Sequence, residues 1–194
     1  MRIRAEIIAR RRGMAFVVEM HLGPETEEAV FDTWQALAAM GVDRSMLDSG
    51  ARPHVTLAIS DHVDQHGLAE ATAAFAAMLQ PVRLTLSSIG LFPTAEGVLF
   101  YGVTVTHALL ELHDAYSRVF AAHARQPYAY YRPGTWVPHC TLATGLTLDQ
   151  VGGALGIIRQ RALPLYGMAH ELGLIEVEGG LARTLALFQI GRPA

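Results

Sequence analysis

Alternation of apolar and polar residues predicts the strands of this chain, and a helical spacing of apolar residues predicts its helices. In residues 14–21, Phe16, Val18 and Met20 share one face, which is typical of a half-buried strand. Residues 24–40 begin with proline, carry acids in the first turn and place apolar residues at helical spacing. They are predicted to form an amphipathic helix that Gly41 ends.

The same two rules predict the remaining elements. Helices are predicted over residues 68–79, 107–123 and 147–161, and strands over 82–91, 97–106, 166–178 and 182–190. Two polar loops, 43–52 and 126–135, lead into short apolar strands at 53–57 and 138–142. Because no low-complexity linker interrupts the chain, residues 14–194 are predicted to form one domain with two lobes.

The two short strands carry the same motif, since PHVTL at residues 53–57 returns as PHCTL at residues 138–142. Alternate side chains of a strand point to the same face. The polar face therefore holds His54 and Thr56 in the first copy, and His139 and Thr141 in the second. A single His-x-Thr occurs often by chance, but two copies in register predict a functional pair.

On these residues the chain resembles the 2H phosphoesterase superfamily, which is defined by two His-x-(Ser/Thr)-apolar motifs. Within it, the chain is most similar to the bacterial 2′-5′ RNA ligase-like proteins, from about Met14 to the end. The resemblance implies an α+β, bilobal fold. Two antiparallel sheets flanked by helices would bring the motifs together across a central cleft.

The paired motifs indicate acid–base chemistry on a phosphodiester. Histidine titrates near neutrality, so two imidazoles can serve as one base and one acid. The catalytic candidates are His54, His139, Thr56 and Thr141, with the hydroxyls as donors to the phosphoryl oxygens. A 2′,3′-cyclic phosphate of a small nucleotide or RNA end suits such a site, and the reverse reaction would be ligation. Two alternatives stay open: a non-catalytic nucleotide- or RNA-end-binding module, and an esterase for a non-RNA cyclic phosphate.

Loops beside the motifs supply candidates for substrate binding. Arg52 precedes the first motif, and Tyr131, Arg132 and Trp136 precede the second. Arginine can pair with phosphate, and aromatic rings can stack on a base. The alternative is that Trp136 packs in the core and the tyrosines lie at the rim of the fold.

Charge and composition limit the kinds of partner that the chain is expected to bind. Residues 1–12 hold five arginines and one glutamate, whereas the rest holds ten arginines and seventeen acids. We therefore expect a basic N-terminal arm at 1–13 and an acidic body without the positive footprint of a long nucleic-acid binder. No apolar run predicts a membrane segment. The single cysteine, Cys140, suits a reducing compartment, so a cytoplasmic protein is expected.

The sequence predicts no metal site and no cofactor, since it contains neither His-Glu-x-x-His nor a glycine-rich phosphate loop. Strand alternation turns the Cys140 sulfur away from the face of His139, so burial is favoured over a nucleophilic role. The histidines outside the motifs that lack a partner pattern are interpreted as ordinary surface or core residues: His21, His107, His113, His123 and His170.

Overall fold

The computed structural model describes residues 13–92, 94 and 97–191. The strands are β1 Met14–His21, β2 His54–Ser60, β3 His62–Val63, β4 Val82–Phe92, β5 Val98–Val103, β6 Ala124–Arg125, β7 His139–Ala143, β8 Leu165–Ala169, β9 Glu171–Glu178 and β10 Leu181–Gln189. The helices are α1 Pro24–Ala39, α2 Ser45–Asp48, α3 Gln65–Met78, α4 His107–His123 and α5 Leu148–Ile158, with a 3₁₀ turn at Ala129–Tyr131. The predicted basic arm lies outside the described residues, apart from Gly13.

Two four-stranded antiparallel sheets dominate the fold. The first sheet has the order β10-β9-β1-β2 and the second has the order β7-β5-β4-β8. Strands β3 and β6 form a small two-stranded sheet of their own. The predicted α+β class with antiparallel sheets is confirmed, and each motif strand, β2 and β7, lies at an edge of its sheet.

Helix ends follow the local sequence. Gly23 precedes α1, where Pro24 occupies the first turn and two acids follow it. Thr147 and Gln150 form a reciprocal capping box at the start of α5. Asp64 and Thr106 cap α3 and α4 with their side chains. These caps fix where each helix leaves its sheet.

Helices cover the sheets and close a shared core. Helix α3 packs on β9 and β10, α4 packs on β2, and α1 packs on β7 and β8. The buried apolar side chains of both sheets belong to one cluster, which includes Val18, Leu57, Leu84 and Leu142. Within the described ranges, no helix is both long and apolar enough to cross a membrane.

One predicted strand was wrong. Residues 166–178 form two strands in different sheets, because Leu165–Ala169 pairs with β4 whereas Glu171–Glu178 pairs with β1. His170 lies between them, and its carbonyl accepts a hydrogen bond from the Ile190 amide at 2.8 Å. The apolar–polar alternation continues through the break, since both halves have a buried face, and the pattern therefore conceals the change of sheet.

Candidate active site

The structure brings the two motif strands together although they belong to different sheets. Strands β2 and β7 contact each other along their edges. The Cys140 thiol of β7 makes a hydrogen bond with the His54 backbone. The imidazole of His54 also lies close enough to His139 to lower its pKa by charge repulsion. The two imidazoles therefore lie near each other where β2 and β7 meet.

The two imidazoles are held in the same way. His54 Nδ1–H donates to the Arg52 carbonyl at 2.7 Å, and His139 Nδ1–H donates to the Val137 carbonyl at 2.7 Å. In each case the acceptor is two residues before the histidine. Since Nδ1 carries the proton in this arrangement, Nε2 of each neutral ring keeps its lone pair for proton transfer.

The strands that carry these rings share two further features. The register with β1 passes from Ala58 to Thr56, skipping Leu57, and the register of β7 with β5 skips Leu142 in the same way. A bulge thus follows the threonine of each motif. The carbonyls of Thr56 and Thr141 accept hydrogen bonds from the indole N–H groups of Trp136 and Trp34, at 2.9 and 3.0 Å.

The neighbours of His54 on the first sheet are polar. His21 of β1 lies opposite His54, and Glu19 lies opposite Thr56. Glu19 Oε1 accepts a hydrogen bond from His21 Nε2–H at 2.9 Å, while Glu19 Oε2 lies 3.4 Å from His54 Nε2. The Glu19 side chain is only 6% exposed. A buried carboxylate therefore lies beside the nitrogen of His54 that has no backbone partner.

This polar group continues across the first sheet. Glu171 of β9 lies opposite His21, and its Oε1 is 2.8 Å from His21 Nδ1. Burial lowers the pKa of His21, but hydrogen bonds with Glu19 and Glu171 outweigh it, so the pKa is raised. Gly173 provides the room, since a Cβ there would lie 2.9 Å from the His21 ring.

Arg52 joins the same group. Its two terminal nitrogens donate to Glu171 Oε1 and Glu27 Oε1, both at 2.8 Å. Hydrogen bonds from His21 and Arg52 hold the pKa of Glu171 below its ordinary value, although burial acts in the opposite direction and is the largest single cause. The assignment of Arg52 to phosphate binding stays a prediction, and a phosphate there would share the guanidinium with these carboxylates.

The neighbours of His139 on the second sheet are aromatic. The Phe92 ring meets the His139 imidazole edge-on at 4.9 Å between centroids, and the Phe100 ring lies at 5.1 Å. Burial is the main reason that the pKa of His139 is lowered, and the charge of His54 lowers it further. Gly90 lies under the Phe100 ring, which would be 2.3 Å from a Cβ at that position.

Tyr131 and Trp136 approach the site from the loop before β7. The Tyr131 phenol makes a hydrogen bond with Thr56, and burial raises the pKa of Tyr131 to about 12. Trp136 is buried in the core and stacks in parallel on His113, with ring centroids 3.9 Å apart. For Trp136 the structure supports packing in the core, where its indole N–H donates to the Thr56 carbonyl. Direct substrate contact by either residue stays a prediction.

Arg132 and Cys140 complete the residues that the sequence singled out. The exposed Arg132 side chain donates to the Pro127 carbonyl at 3.0 Å, and its role in substrate binding stays a prediction. Cys140 is buried, as expected, and burial raises the pKa of its thiol to about 12. A thiol with this pKa is a poor nucleophile at neutral pH.

A family model described as the 2′-5′ RNA ligase superfamily matches residues 24–181, which include both motifs. The chain belongs to the 2′-5′ RNA ligase superfamily. Among curated proteins, no sequence matches it. The motifs that the sequence analysis identified thus mark a true member of this superfamily of 2H phosphoesterases.

Solved structures show the same fold at low sequence identity. TT0787 of Thermus thermophilus has a TM-score of 0.58 at 17% identity, over 93% of this chain and 100% of its own. E. coli LigT in its apo form has a TM-score of 0.56 at 17% identity, over 92% and 98%. LigT has also been solved with 3′-AMP, with a TM-score of 0.55 at 15% identity over 92% and 99%. These likenesses extend the superfamily fold along nearly the whole chain.

Sequence reasoning missed Glu19, His21 and Glu171. His21, which its sequence context marks only as an ordinary histidine, joins two carboxylates beside His54. The signal was present in part, because Glu19 and His21 alternate on the face of β1 opposite to Phe16, Val18 and Met20. Charged residues on an otherwise buried strand indicate a partner, but the position of Glu171 could not be inferred.

Proposed function

We propose that this chain is a metal-independent phosphodiesterase that uses His54 and His139 as an acid–base pair. Its substrate would be a 2′,3′-cyclic phosphate, or a 2′-5′ phosphodiester, in a small nucleotide or at an RNA end. The observation that carries the proposal is that each ring donates Nδ1–H to the backbone carbonyl two residues before it. This leaves Nε2 of both rings without a backbone partner. A pair of this kind can move two protons during one displacement at phosphorus.

For a cyclic phosphate, the proposed reaction is an in-line attack by water. One imidazole takes a proton from the water as its oxygen bonds to phosphorus. The other imidazole gives a proton to the ribose oxygen whose bond to phosphorus breaks. In this proposal the hydroxyls of Thr56 and Thr141 donate to the phosphoryl oxygens as their charge grows. With a ribose hydroxyl in place of water, the same two proton transfers would join that hydroxyl to phosphorus as the ring bond breaks, which is ligation.

Small nucleotides are the substrate class that the observations support. E. coli LigT structures contain 3′-AMP, ATP and NADP+. In this chain, residues 13–194 hold more acids than arginines, which does not favour a long polyanion. The single, buried cysteine is consistent with a reducing, cytoplasmic location.

A second candidate is an esterase for a cyclic phosphate that does not originate from RNA. The acidic body of the chain favours it, because such a substrate needs no positive track for flanking nucleotides. The chemistry at phosphorus would be the same, and only the recognition of the leaving group would differ.

A substrate panel tests these functions. Purified protein is incubated, with and without excess chelator, with 2′,3′-cyclic AMP, cyclic-phosphate-ended RNA, 2′-5′ ApA and ADP-ribose cyclic phosphate. We expect turnover of at least one substrate, unchanged by the chelator and abolished in His54→Ala and His139→Ala. Binding of these ligands without turnover would instead identify a nucleotide-binding module. Loss of turnover on chelation, with recovery on adding metal, would overturn the metal-independent mechanism.

A further inference from the structure

Glu19 makes the contact that distinguishes His54 from His139. Its carboxylate bridges two imidazoles, with Oε1 at 2.9 Å from His21 Nε2 and Oε2 at 3.4 Å from His54 Nε2. His54 Nδ1–H is already donated to the Arg52 carbonyl. A His54 ring protonated on both nitrogens would donate to the Arg52 carbonyl and form an ion pair with Glu19.

The group of side chains around His54 carries more negative than positive charge. Among the described residues, the contacts join three carboxylates, Glu19, Glu27 and Glu171, to the cations Arg52 and His21. The carboxylates exceed the cations by one when His21 is charged and by two when it is neutral. An imidazolium at His54 offsets this excess, and such compensation is strong where the carboxylate is buried.

The two histidines differ in their neighbours, which are charged at His54 and aromatic at His139. The charged or titratable residues that contact His54 or lie beside it are Glu19 on β1, Arg52 before β2, and His139 and Cys140 on β7. Behind them, His21 contacts Glu19 and Glu171, and Glu27 contacts Arg52. His139 lies against Phe92 and Phe100, where an apolar surface disfavours a cation.

The structure also explains why Glu19 cannot turn away. His21 holds one carboxylate oxygen, and Glu171 holds the other nitrogen of the His21 ring. Gln189 Nε2–H donates in turn to Glu171 Oε2 at 2.6 Å. This row crosses β10, β9, β1 and β2 in register and ends at His54.

We propose that Glu19, held by His21 and Glu171, is a positioning residue that keeps the transferable proton on His54. His54 is then the acid and His139 the base. This assignment rests on the proposed phosphodiesterase function. In hydrolysis of a cyclic phosphate, His139 Nε2 takes a proton from water, whose oxygen forms the new bond to phosphorus. His54 Nε2 delivers its proton to the departing ribose oxygen, and the histidines return to their starting states by exchange with solvent.

A comparison of leaving groups tests the assignment through turnover. Hydrolysis of 2′,3′-cyclic AMP needs an acid, whereas bis(p-nitrophenyl) phosphate releases a stable phenolate that does not. For the cyclic substrate we expect Glu19→Gln to lower kcat at least tenfold, yet less than the ~10²–10⁴ that removing a general acid costs. KM should change little. With the aryl ester, Glu19→Gln and His54→Ala should lose much less activity, while His139→Ala should lose it with both substrates.

Glu171→Gln should shift activity in the same direction as Glu19→Gln but by less, because it acts one contact further away. Glu176→Gln is the matched control, since Glu176 is also a shielded carboxylate of β9 in an ion pair, with Arg183. It should leave the ratio between the two substrates unchanged. An equal loss on both substrates in Glu19→Gln would overturn the positioning role, and a loss greater than that of His54→Ala would make Glu19 itself a catalytic residue.

A readout without turnover separates this inference from the proposed function. Nitrogen NMR of the intact, ¹⁵N-labelled protein at neutral pH reports how much of each imidazole is protonated on both nitrogens. We expect this share at His54 to fall in Glu19→Gln and to stay constant in Glu176→Gln, with the His54 signals assigned from His54→Ala. An unchanged share would overturn the inference even if the enzyme hydrolyses cyclic phosphates. Conversely, a wild-type protein with no phosphodiesterase activity would overturn the function, whatever the NMR result.

Discussion

The two halves of the cleft hold their histidines alike but surround them differently. On both sides, Nδ1–H of the histidine donates to the backbone carbonyl two residues before it. A bulge follows the threonine of each motif, and a tryptophan indole N–H donates to the carbonyl of that threonine. Beyond this shared frame, His54 meets Glu19, whereas His139 meets Phe92 and Phe100. The duplicated frame sets where the rings lie, and the neighbours that are not duplicated give His54 polar and His139 apolar surroundings.

The largest effect is expected from breaking the pair itself. Replacing either His54 or His139 by alanine should lower kcat/KM for the preferred cyclic phosphate by about 10²–10⁴, because each removes one proton transfer. The double variant should be little worse than the worse single variant, since the two groups act as a unit. Steady-state kinetics on all three variants measures this. Near-normal turnover in His139→Ala would show that the second half of the cleft is only structural.

The shared frame predicts equal costs on the two sides. Trp34→Phe and Trp136→Phe each keep an aromatic ring but leave a threonine carbonyl without its indole donor. Each should lower the free energy of unfolding by about 1–3 kcal/mol, as expected for a buried acceptor left unsatisfied. Each indole also contacts a second ring, His113 for Trp136 and Phe31 for Trp34, so the two costs should be similar. Urea denaturation measures both, and a cost confined to one side would contradict the frame.

The aromatic surroundings of His139 can be removed selectively. Burial lowers the pKa of His139, so the acidic limb of the pH–rate profile should lie below the ordinary histidine value of 6.5. Phe92→Ala should admit water to the ring and move that limb upward, towards 6.5. Phe188→Ala, a partly buried aromatic residue of the other sheet, is the control and should leave the limb in place. A limb that does not move in Phe92→Ala would exclude Phe92 as a cause of the lowered His139 pKa.

The smallest expected effect is on the pH dependence of folding stability. The pKa values of His139 and His113 are lowered mainly by burial, so the unfolded chain binds more protons and stability falls as pH drops below 6.5. His21 has a raised pKa, so its contribution is present below 6.5 and is lost as pH rises through its folded value. Melting temperatures between pH 5 and 9 (about two units to either side of neutrality) should therefore peak near the unfolded histidine pKa. His21→Gln should flatten only the alkaline side, and flattening of the acid side would contradict this account.

The sequence was sufficient for the two motif strands but not for the neighbours of their histidines. Strand β1, helix α1, the β4–β5 hairpin and the motif strands follow from alternation, helix ends and one repeated motif, all of which are local signals. The contact between His21 and Glu171 joins residues 150 positions apart, and it depends on a strand break that alternation conceals. The neighbours of His139 likewise depend on the register between β5 and β7, which no local pattern encodes.

The indole contacts have a consequence for self-association. A sheet edge with free backbone groups invites a strand from another molecule, and β2 and β7 are both edges. At the centre of each edge the threonine carbonyl is already occupied by Trp136 or Trp34. An incoming strand would have to displace a tryptophan that also packs in the core. At these positions the two edges are therefore closed to an added strand.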